Sequence, residues 1–149
     1  MCSSNIAEGR KLIRLTRSYR FAASHRLNVP QYTSEQNQEL FGKCNNPHGH
    51  GHNYLVQITV EGPIDPQTGL VVDPAAMDRL VTAEVVNHFD HRYINEDLPE
   101  FKTRMASTEV IGEVMEERLL AVWPASFPRL KEIQILETKR NSFRFVSSQ

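Results

Sequence analysis

The chain has 149 residues, a length typical of one compact domain, and we predict a single domain over residues 1–149. Its 17 basic and 18 acidic residues give a net charge of −1, which supports neither a nucleic-acid partner nor an anionic membrane surface. Two cysteines are too few for a disulfide framework, and no apolar run is long enough to span a bilayer, so we expect a cytoplasmic protein. The polar residues 1–10, which include Cys2, are expected to be flexible.

Two segments alternate apolar and polar residues with the period of two that half-buried strands show. The first runs from Ile13 to Leu27 and places His25 on its apolar face. The second runs from His52 to Glu61. If this strand extends further back, His48 and His50 share the parity of its Val and Ile face.

The remaining pattern is typical of an α+β fold. A long polar loop at 28–49 separates the two strands, with helical potential at 34–41. The elements predicted after the second strand are a short strand at Leu70–Val72, a helix capped by Asp73-Pro74 that runs to about Asn87, a loop at 88–101, a helix from Ser107 to Trp123, and a hairpin of strands Glu132–Thr138 and Phe143–Val146. Paired strands with helices between them favour a four-stranded antiparallel sheet with two helices on one face. Such a sheet leaves two open edges, which oligomerisation can cover.

Three of the six histidines lie on alternate positions of "CNNPHGHGHNY". The rings of His50 and His52 leave the same side of a strand, and His25 can supply a third nitrogen if the two strands are neighbours. Three histidines with an open fourth position are the arrangement of catalytic zinc, and the glycines beside His50 let the chain bend. Solvated loop histidines are the simpler interpretation, but the inward-facing His25 favours a metal. Spacing alone does not exclude His48 as a replacement for His50 or His52.

Cys44 lies in the same segment and has two functional interpretations. It can be a fourth metal ligand, or a thiolate that acts as base or nucleophile, with a pKa lowered by Lys43 and a metal. The third interpretation is a buried, inert thiol. The residues alone leave these alternatives open.

Further candidate groups are acidic residues and one more histidine. The Asp90 carboxylate can orient the His91 imidazole as a general acid or base, although adjacent residues rarely hydrogen-bond each other and solvated loop residues are the simpler interpretation. Glu137 shares a predicted strand face with two isoleucines, so it needs a ligand or an ion-pair partner unless the strand end is frayed. Glu109 lies in the first turn of a predicted helix, where a carboxylate suits the macrodipole.

Five segments resemble, in order, the motifs of the 6-pyruvoyl-tetrahydropterin synthase family: "FAASHRL", "FGKCNNPHGHGHNY", "FDHRYIN", "STE" and "LETKRN". The match covers roughly Leu12 to Phe145, and the segment from the cysteine to "HGH" is its most specific part. The resemblance implies the T-fold. It also implies that subunits join into trimeric barrels, that two trimers stack as a homohexamer, and that active sites lie between subunits.

The resemblance also implies roles for individual residues. These are zinc ligands His25, His50 and His52, the proton-abstracting base Cys44, a supporting pair Asp90 and His91 with His91 in the proton relay, Glu137 in the relay or at the pterin ring, and pterin contacts from Thr108 and Glu109. His48 then lies outside the ligand set. Two departures stand out: Val110 follows the Thr-Glu pair where the family often has Asn, and "KRNSFRF" differs from the usual hairpin.

The implied activity is a zinc-dependent lyase of tetrahydrobiopterin-type biosynthesis. It would convert 7,8-dihydroneopterin triphosphate into 6-pyruvoyl-tetrahydropterin and triphosphate, with Zn²⁺ and no external redox cofactor. The alternative within the family is 6-carboxytetrahydropterin synthase of queuosine biosynthesis, whose cysteine is typically closer to "HGH"; here Cys44 precedes His50 by six positions, which favours the pyruvoyl enzymes. A non-catalytic zinc-binding module with Cys44 as fourth ligand is the alternative from another class. The 17 Lys and Arg residues do not reveal which of them bind the triphosphate.

Overall fold

The computed structural model describes residues 9–147 as an α+β fold built on a mixed five-stranded sheet in the order β3-β1-β2-β4-β5. The strands are β1 (Leu12–His25), β2 (His50–Pro63), β3 (Arg92–Tyr93), β4 (Arg129–Leu136) and β5 (Ser142–Val146). The helices are α1 (Ser34–Phe41), α2 (Pro74–Val81), α3 (Asn87–Phe89), α4 (Ile94–Asp97) and α5 (Thr108–Val122). There are 3₁₀ turns at Gly42–Asn45 and Pro99–Phe101, and a π turn at Thr82–Val86 joins α2 to α3. Cys2 and most of the segment expected to be flexible lie outside the described residues.

The core lies on one face of the sheet. Strand β2 contributes Val56, Ile58 and Val60, which are completely buried, and the apolar sides of α2 and α5 cover them. The intervening residues face the other way, where the hydroxyls of Thr16 and Thr59 lie 2.7 Å apart across the β1–β2 pair. The alternation read from the sequence therefore predicted β1 and β2 correctly, because one side of each strand is buried and the other is polar.

A charged contact fixes α2 against β1. The Arg17 guanidinium makes two bonds to the Asp78 carboxylate, of 2.7 and 2.8 Å, and the Tyr19 hydroxyl donates to the same carboxylate at 2.8 Å. Asp73 caps α2 through its side chain and Pro74 occupies the first turn, as predicted. The hydroxyl of Tyr19 therefore helps to hold α2 against β1.

The sheet differs from the predicted four antiparallel strands by one short addition. Strand β3 pairs in parallel with Ala23 and Ser24 of β1, within a segment predicted to be loop. The cause lies just before it, where the backbone of Ala22 bonds to both Asp90 and His91 and holds the segment against the edge of β1. The sheet is therefore mixed, with one parallel pair.

One predicted strand is absent, and one helix ends close to its predicted position. Leu70–Val72 is not a strand, because this stretch belongs to a turn in which the Asp65 N–H donates to the Leu70 carbonyl at 2.9 Å. The first long helix continues two residues past Asn87, to Phe89, through the π turn. Among residues 9–147, no helix is both long and apolar enough to cross a bilayer.

Candidate functional site

Three histidines meet at one end of the β1–β2 pair. His25 is the last residue of β1 and lies directly opposite His50, the first residue of β2, while His52 pairs with Ala23. The ring centroids lie 5.7 Å apart for His25–His50, 5.1 Å for His25–His52 and 4.2 Å for His50–His52. The structure therefore brings together the three histidines that strand parity had placed on one face.

The surroundings of His25 leave one ring nitrogen free to bind a ligand. His25 is 1% exposed, and its Nδ1 lies 2.6 Å from the Ala106 carbonyl oxygen, so Nδ1 carries the proton and donates it. The pKa of His25 is lowered, chiefly by burial, and the ring is neutral near pH 7. Its Nε2 is buried, and no atom of residues 9–147 hydrogen-bonds to it. A lone pair therefore points into the histidine cluster.

Glu137 closes the cluster on the side of β4. Its Oε1 lies 3.1 Å from His52 Nε2, although the two groups are not aligned for a hydrogen bond. Its Oε2 accepts a hydrogen bond of 2.8 Å from the hydroxyl of Thr108, which is 2% exposed at the start of α5. Burial lowers the pKa of His52, and the charge of Glu137 opposes this shift. The sequence analysis placed Glu137 inside the strand. In the structure it lies one residue beyond the end of β4.

Cys44 approaches the histidines from the long loop. It lies in the 3₁₀ turn Gly42–Asn45, and its Sγ is 3.2 Å from His50 Nε2. The Leu27 N–H donates to the Cys44 carbonyl at 2.7 Å, and the buried Asn45 amide donates to the Leu27 carbonyl at 2.8 Å. The loop is thus attached to the end of β1. Burial, and then the charge of Glu137, raise the pKa of the Cys44 thiol.

The donor set of this cluster fits a divalent metal. His25, Cys44, His50 and His52 each offer one ligand atom, and these four atoms lie within 4.8 Å of one another. Imidazole nitrogen and thiolate sulfur are the ligands that zinc prefers, with bonds of about 2.0–2.3 Å. Within residues 9–147, the buried His25 Nε2 has no hydrogen-bond partner. This supports the same interpretation, because an isolated buried acceptor is costly.

The loop before β2 separates His48 from the cluster. Strand β2 begins at His50, so the parity argument does not extend to His48, which is exposed. Gly49 has φ of +75°, and a Cβ at this position would come within 2.7 Å of the His25 carbonyl oxygen. Gly51, by contrast, has ordinary strand geometry, so only one of the two glycines beside His50 makes the bend.

Asp90 and His91 form a separate pair. The Ala22 N–H donates to Asp90 Oδ1 at 2.9 Å, and His91 Nδ1 lies 2.8 Å from Asp90 Oδ2. The two neighbours do contact each other, contrary to the sequence expectation, because His91 adopts φ of +58°. The pKa of Asp90 is lowered, first by the Ala22 hydrogen bond. The side chain of His91 is 84% exposed.

His91 lines a cleft of about 580 Å³. Residues of β1 and β2 that alternate with the three histidines form much of its wall: Ala22, Ser24, Gly51 and Asn53. They face away from the core, although Ala23 and His52 also border the cleft. Within one chain, His91 therefore opens on the side of the sheet opposite the Cys44 side.

Two groups at the cluster were missed from the sequence. The Ala106 carbonyl sets the tautomer of His25, and a backbone acceptor far along the chain leaves no sequence signal. Tyr54 lies next to His52 on the core face, with ring centroids 5.4 Å apart. Its parity with His50 and His52 was visible in the sequence and could have identified it. Glu109 is exposed, although its charge reaches His25.

The fold and the buried cluster define a T-fold protein with a candidate metal centre. A family model described as 6-pyruvoyl tetrahydropterin synthase matches residues 14–147. The 6-pyruvoyl tetrahydrobiopterin synthase of Poecilia reticulata is 39% identical over 127 residues, which cover 85% of each chain. The solved structure of 6-pyruvoyl tetrahydropterin synthase from Caenorhabditis elegans is 34% identical, with a TM-score of 0.84 over 93% of this chain and 98% of that one.

This chain therefore belongs to the 6-pyruvoyl tetrahydropterin synthase family, as the five motifs had indicated. The 6-carboxy-5,6,7,8-tetrahydropterin synthase of Synechocystis sp. is also a relative, 30% identical over 109 residues, which cover 71% of this chain and 79% of that protein. Both kinds of enzyme considered from the sequence are thus among the proteins that this chain resembles.

In metal-free protein, Cys44 should react slowly with iodoacetamide at neutral pH, because burial and Glu137 raise its pKa and only the thiolate is nucleophilic. Glu137→Gln should shift the rate profile to lower pH, since it removes a nearby negative charge. The measurement is the alkylation rate of the Cys44 peptide, followed by mass spectrometry across a pH series.

Glu109→Gln is the matched control, because this exposed carboxylate is not among the groups that act on Cys44. It should leave the profile unchanged. An alkylation-rate profile whose midpoint lies at or below the ordinary pKa of a thiol would contradict a raised pKa of Cys44.

Proposed function

We propose that this chain is a zinc-dependent lyase that converts 7,8-dihydroneopterin triphosphate into 6-pyruvoyl-tetrahydropterin with elimination of triphosphate. The observation that carries the proposal is the meeting of His25, His50, His52 and Cys44 in a member of this family. Zinc bound there would act as a Lewis acid that polarises a substrate oxygen and acidifies the neighbouring C–H bond.

The three histidines are the proposed zinc ligands. His25 supports this role because its free Nε2 is buried and its Nδ1 is committed to the Ala106 carbonyl. His52 Nε2 is likewise buried without a hydrogen bond in the described chain. Three protein ligands leave a position for substrate, which is the usual arrangement of a catalytic zinc site.

Cys44 is the proposed base that removes the substrate proton. Its Sγ lies 3.2 Å from His50 Nε2, so a substrate carbon next to the ligand cluster would also be next to the sulfur. Glu137 and Thr108 form a carboxylate–hydroxyl pair beside His52. We assign Glu137 to proton relay or to the amino-pyrimidine edge of the pterin, whose N–H groups a carboxylate accepts, with Thr108 and Glu109 as further pterin contacts.

Asp90 and His91 are the proposed proton relay, supplied by a neighbouring subunit. The hydrogen bond between them orients the imidazole, and 84% exposure leaves His91 free to reach another chain. Its cleft opens on the side of the sheet away from Cys44, so a second copy is the simplest source of this group. A homohexamer built from two trimeric barrels, with active sites between subunits, would let one subunit supply Cys44 and its neighbour supply Asp90 and His91.

The product test is incubation of zinc-loaded protein with dihydroneopterin triphosphate, followed by mass analysis of the pterin. We expect 6-pyruvoyl-tetrahydropterin and one equivalent of triphosphate, because elimination and internal redox need no external oxidant. Chelated protein is the control and should give no product.

A carboxylated pterin would identify the 6-carboxytetrahydropterin synthase activity instead, which the relationship to the Synechocystis sp. protein makes the second candidate. Absence of any product from fully loaded protein would favour a zinc-binding module with Cys44 as the fourth ligand, which the four-atom cluster would also permit.

Substitutions should separate the ligands from the base. His25→Ala should lose most of the bound zinc, because it removes a buried ligand, whereas Cys44→Ala should keep stoichiometric zinc and lose turnover. His48→Ala should retain both, since this residue is exposed and outside the cluster. Metal content by mass spectrometry and the initial rate are measured on the same samples. Loss of zinc from Cys44→Ala would overturn its assignment as a base.

Co-expression of two inactive variants tests whether a site is shared between subunits. Cys44→Ala and His91→Ala should each be inactive, while mixed assemblies should regain about one quarter of the wild-type rate if pairing is random. The reason is that some interfaces would combine an intact Cys44 from one chain with an intact His91 from another. As the control, Cys44→Ala is co-expressed with the double variant that carries both Cys44→Ala and His91→Ala, so that no chain supplies an intact Cys44. Recovery no greater than this control would place both groups in one chain.

A further inference from the structure

Four polar side chains form one network between helix α5 and the segment that leads to Asp90. The Arg118 guanidinium, on α5, donates to Glu84 Oε2 at 3.0 Å and to Glu100 Oε1 at 3.3 Å. His88 Nε2 lies 2.8 Å from the same oxygen of Glu100. None of the four side chains belongs to the candidate metal centre, so the network needs a separate explanation.

The network is partly buried, unlike a second charged group on the same helix. The side chains of Glu84 and Glu100 are 26% and 23% exposed. Glu113 and Glu117, which pair with Arg104, are 63% and 61% exposed. A charge pair partly removed from water gives little net stability, because the loss of hydration offsets the attraction. The network is therefore better explained by the segment that it holds in place.

This segment contains the π turn Thr82–Val86. Arg118 Nε donates to the backbone carbonyl of Glu84 at 2.8 Å, while Nη2 binds the carboxylate of the same residue. A π turn adds one residue to a helix, and such turns are rare but frequent at functional sites. One added residue rotates all that follow by about 100° around the helix axis. The turn therefore sets the direction in which the chain leaves the helix.

The Asp90–His91 pair begins where this helix ends. The Asp90 N–H donates at 2.8 Å to the carbonyl of Val86, the last residue of the π turn. His88 lies between the π turn and the pair. The network thus holds the end of the helix on the side of α5, while the Ala22 backbone holds the pair on the side of β1.

We propose that Arg118 is a positioning residue for the proton relay, because it fixes the π turn and thereby the place at which His91 is presented. This inference rests on the proposed function. The His91 side chain is exposed, so packing of its own ring contributes little to its position. A relay works only over hydrogen-bond distances, so a displacement of about 1 Å would slow it strongly.

Arg118→Lys tests this role, because it keeps the positive charge but loses the planar group that reaches two carboxylates and a carbonyl together. In zinc-loaded protein that turns over dihydroneopterin triphosphate, kcat should fall about tenfold, since the relay is misplaced. KM should stay within about twofold, because the relay acts in the reaction and not in binding. Zinc content should not change. Rates are measured well below the Tm of each variant.

Hydrogen exchange followed by mass spectrometry reports the position of the segment without substrate. In Arg118→Lys, the amides of residues 87–93 should exchange roughly tenfold faster, because opening this segment no longer breaks the full network. The amides of residues 56–60 in β2 should exchange as in the wild-type protein. A variant that only loses global stability would instead show faster exchange in both peptides.

Arg104→Lys is the matched control. The Arg104 side chain is about as exposed as that of Arg118, and it makes the same kind of forked contact, to Glu113 and Glu117. These partners lie on α5 and not on the helix that leads to Asp90. The substitution should therefore leave kcat and the exchange of residues 87–93 unchanged.

Glu100→Gln is a second variant for the case in which Arg118→Lys does not fold. It removes the carboxylate charge that Arg118 and His88 share, and it should change kcat and exchange in the same direction. Unchanged exchange at residues 87–93, equal acceleration at 56–60, or faster exchange with undiminished kcat would overturn the proposal. If wild-type protein forms no product, the proposed function fails instead, and the exchange comparison still reports whether Arg118 fixes this segment.

Discussion

The register between β1 and β2 is the constraint on which the rest of the site depends. It sets His25 opposite His50 and Ala23 opposite His52, so that the three rings share the buried side of the sheet. A slip of one residue in either strand would turn its histidines to the polar side. The same slip would expose the buried run that includes Val56 and Ile58. The free energy that buries the core therefore also holds the histidines in place.

This arrangement leaves the cluster poorly satisfied by its own contacts. His25 donates its N–H to the Ala106 carbonyl, and its other nitrogen has no partner among residues 9–147, while burial keeps the ring neutral. Burial and Glu137 raise the pKa of the Cys44 thiol. Groups of this kind persist only when the surrounding structure fixes them. Here the fixing elements are the strand pair and the loop attached through Asn45 and Leu27.

The sequence predicted those parts of the site that follow from periodicity. Strand parity selected His25, His50 and His52, but it could not separate His48, because the boundary depends on the positive φ of Gly49. Strand β3 was missed for a related reason. Two residues carry no periodic signal, and what holds them is a contact between the Ala22 backbone and the next segment. Contacts between distant backbone atoms are decided by the assembled fold and not by local pattern.

The strand edges connect the site to assembly. On its outer edge, β1 pairs only through Ala23 and Ser24 with β3, and β5 ends the sheet on the other side, within the described residues. Long open edges favour association with another chain. His91 lies beside the short covered part of this edge, on the side of the sheet away from Cys44. Association along the free edges would protect them. In the proposed assembly it would also bring His91 of one copy towards Cys44 of the next, so a single physical requirement would serve both stability and the proposed catalysis.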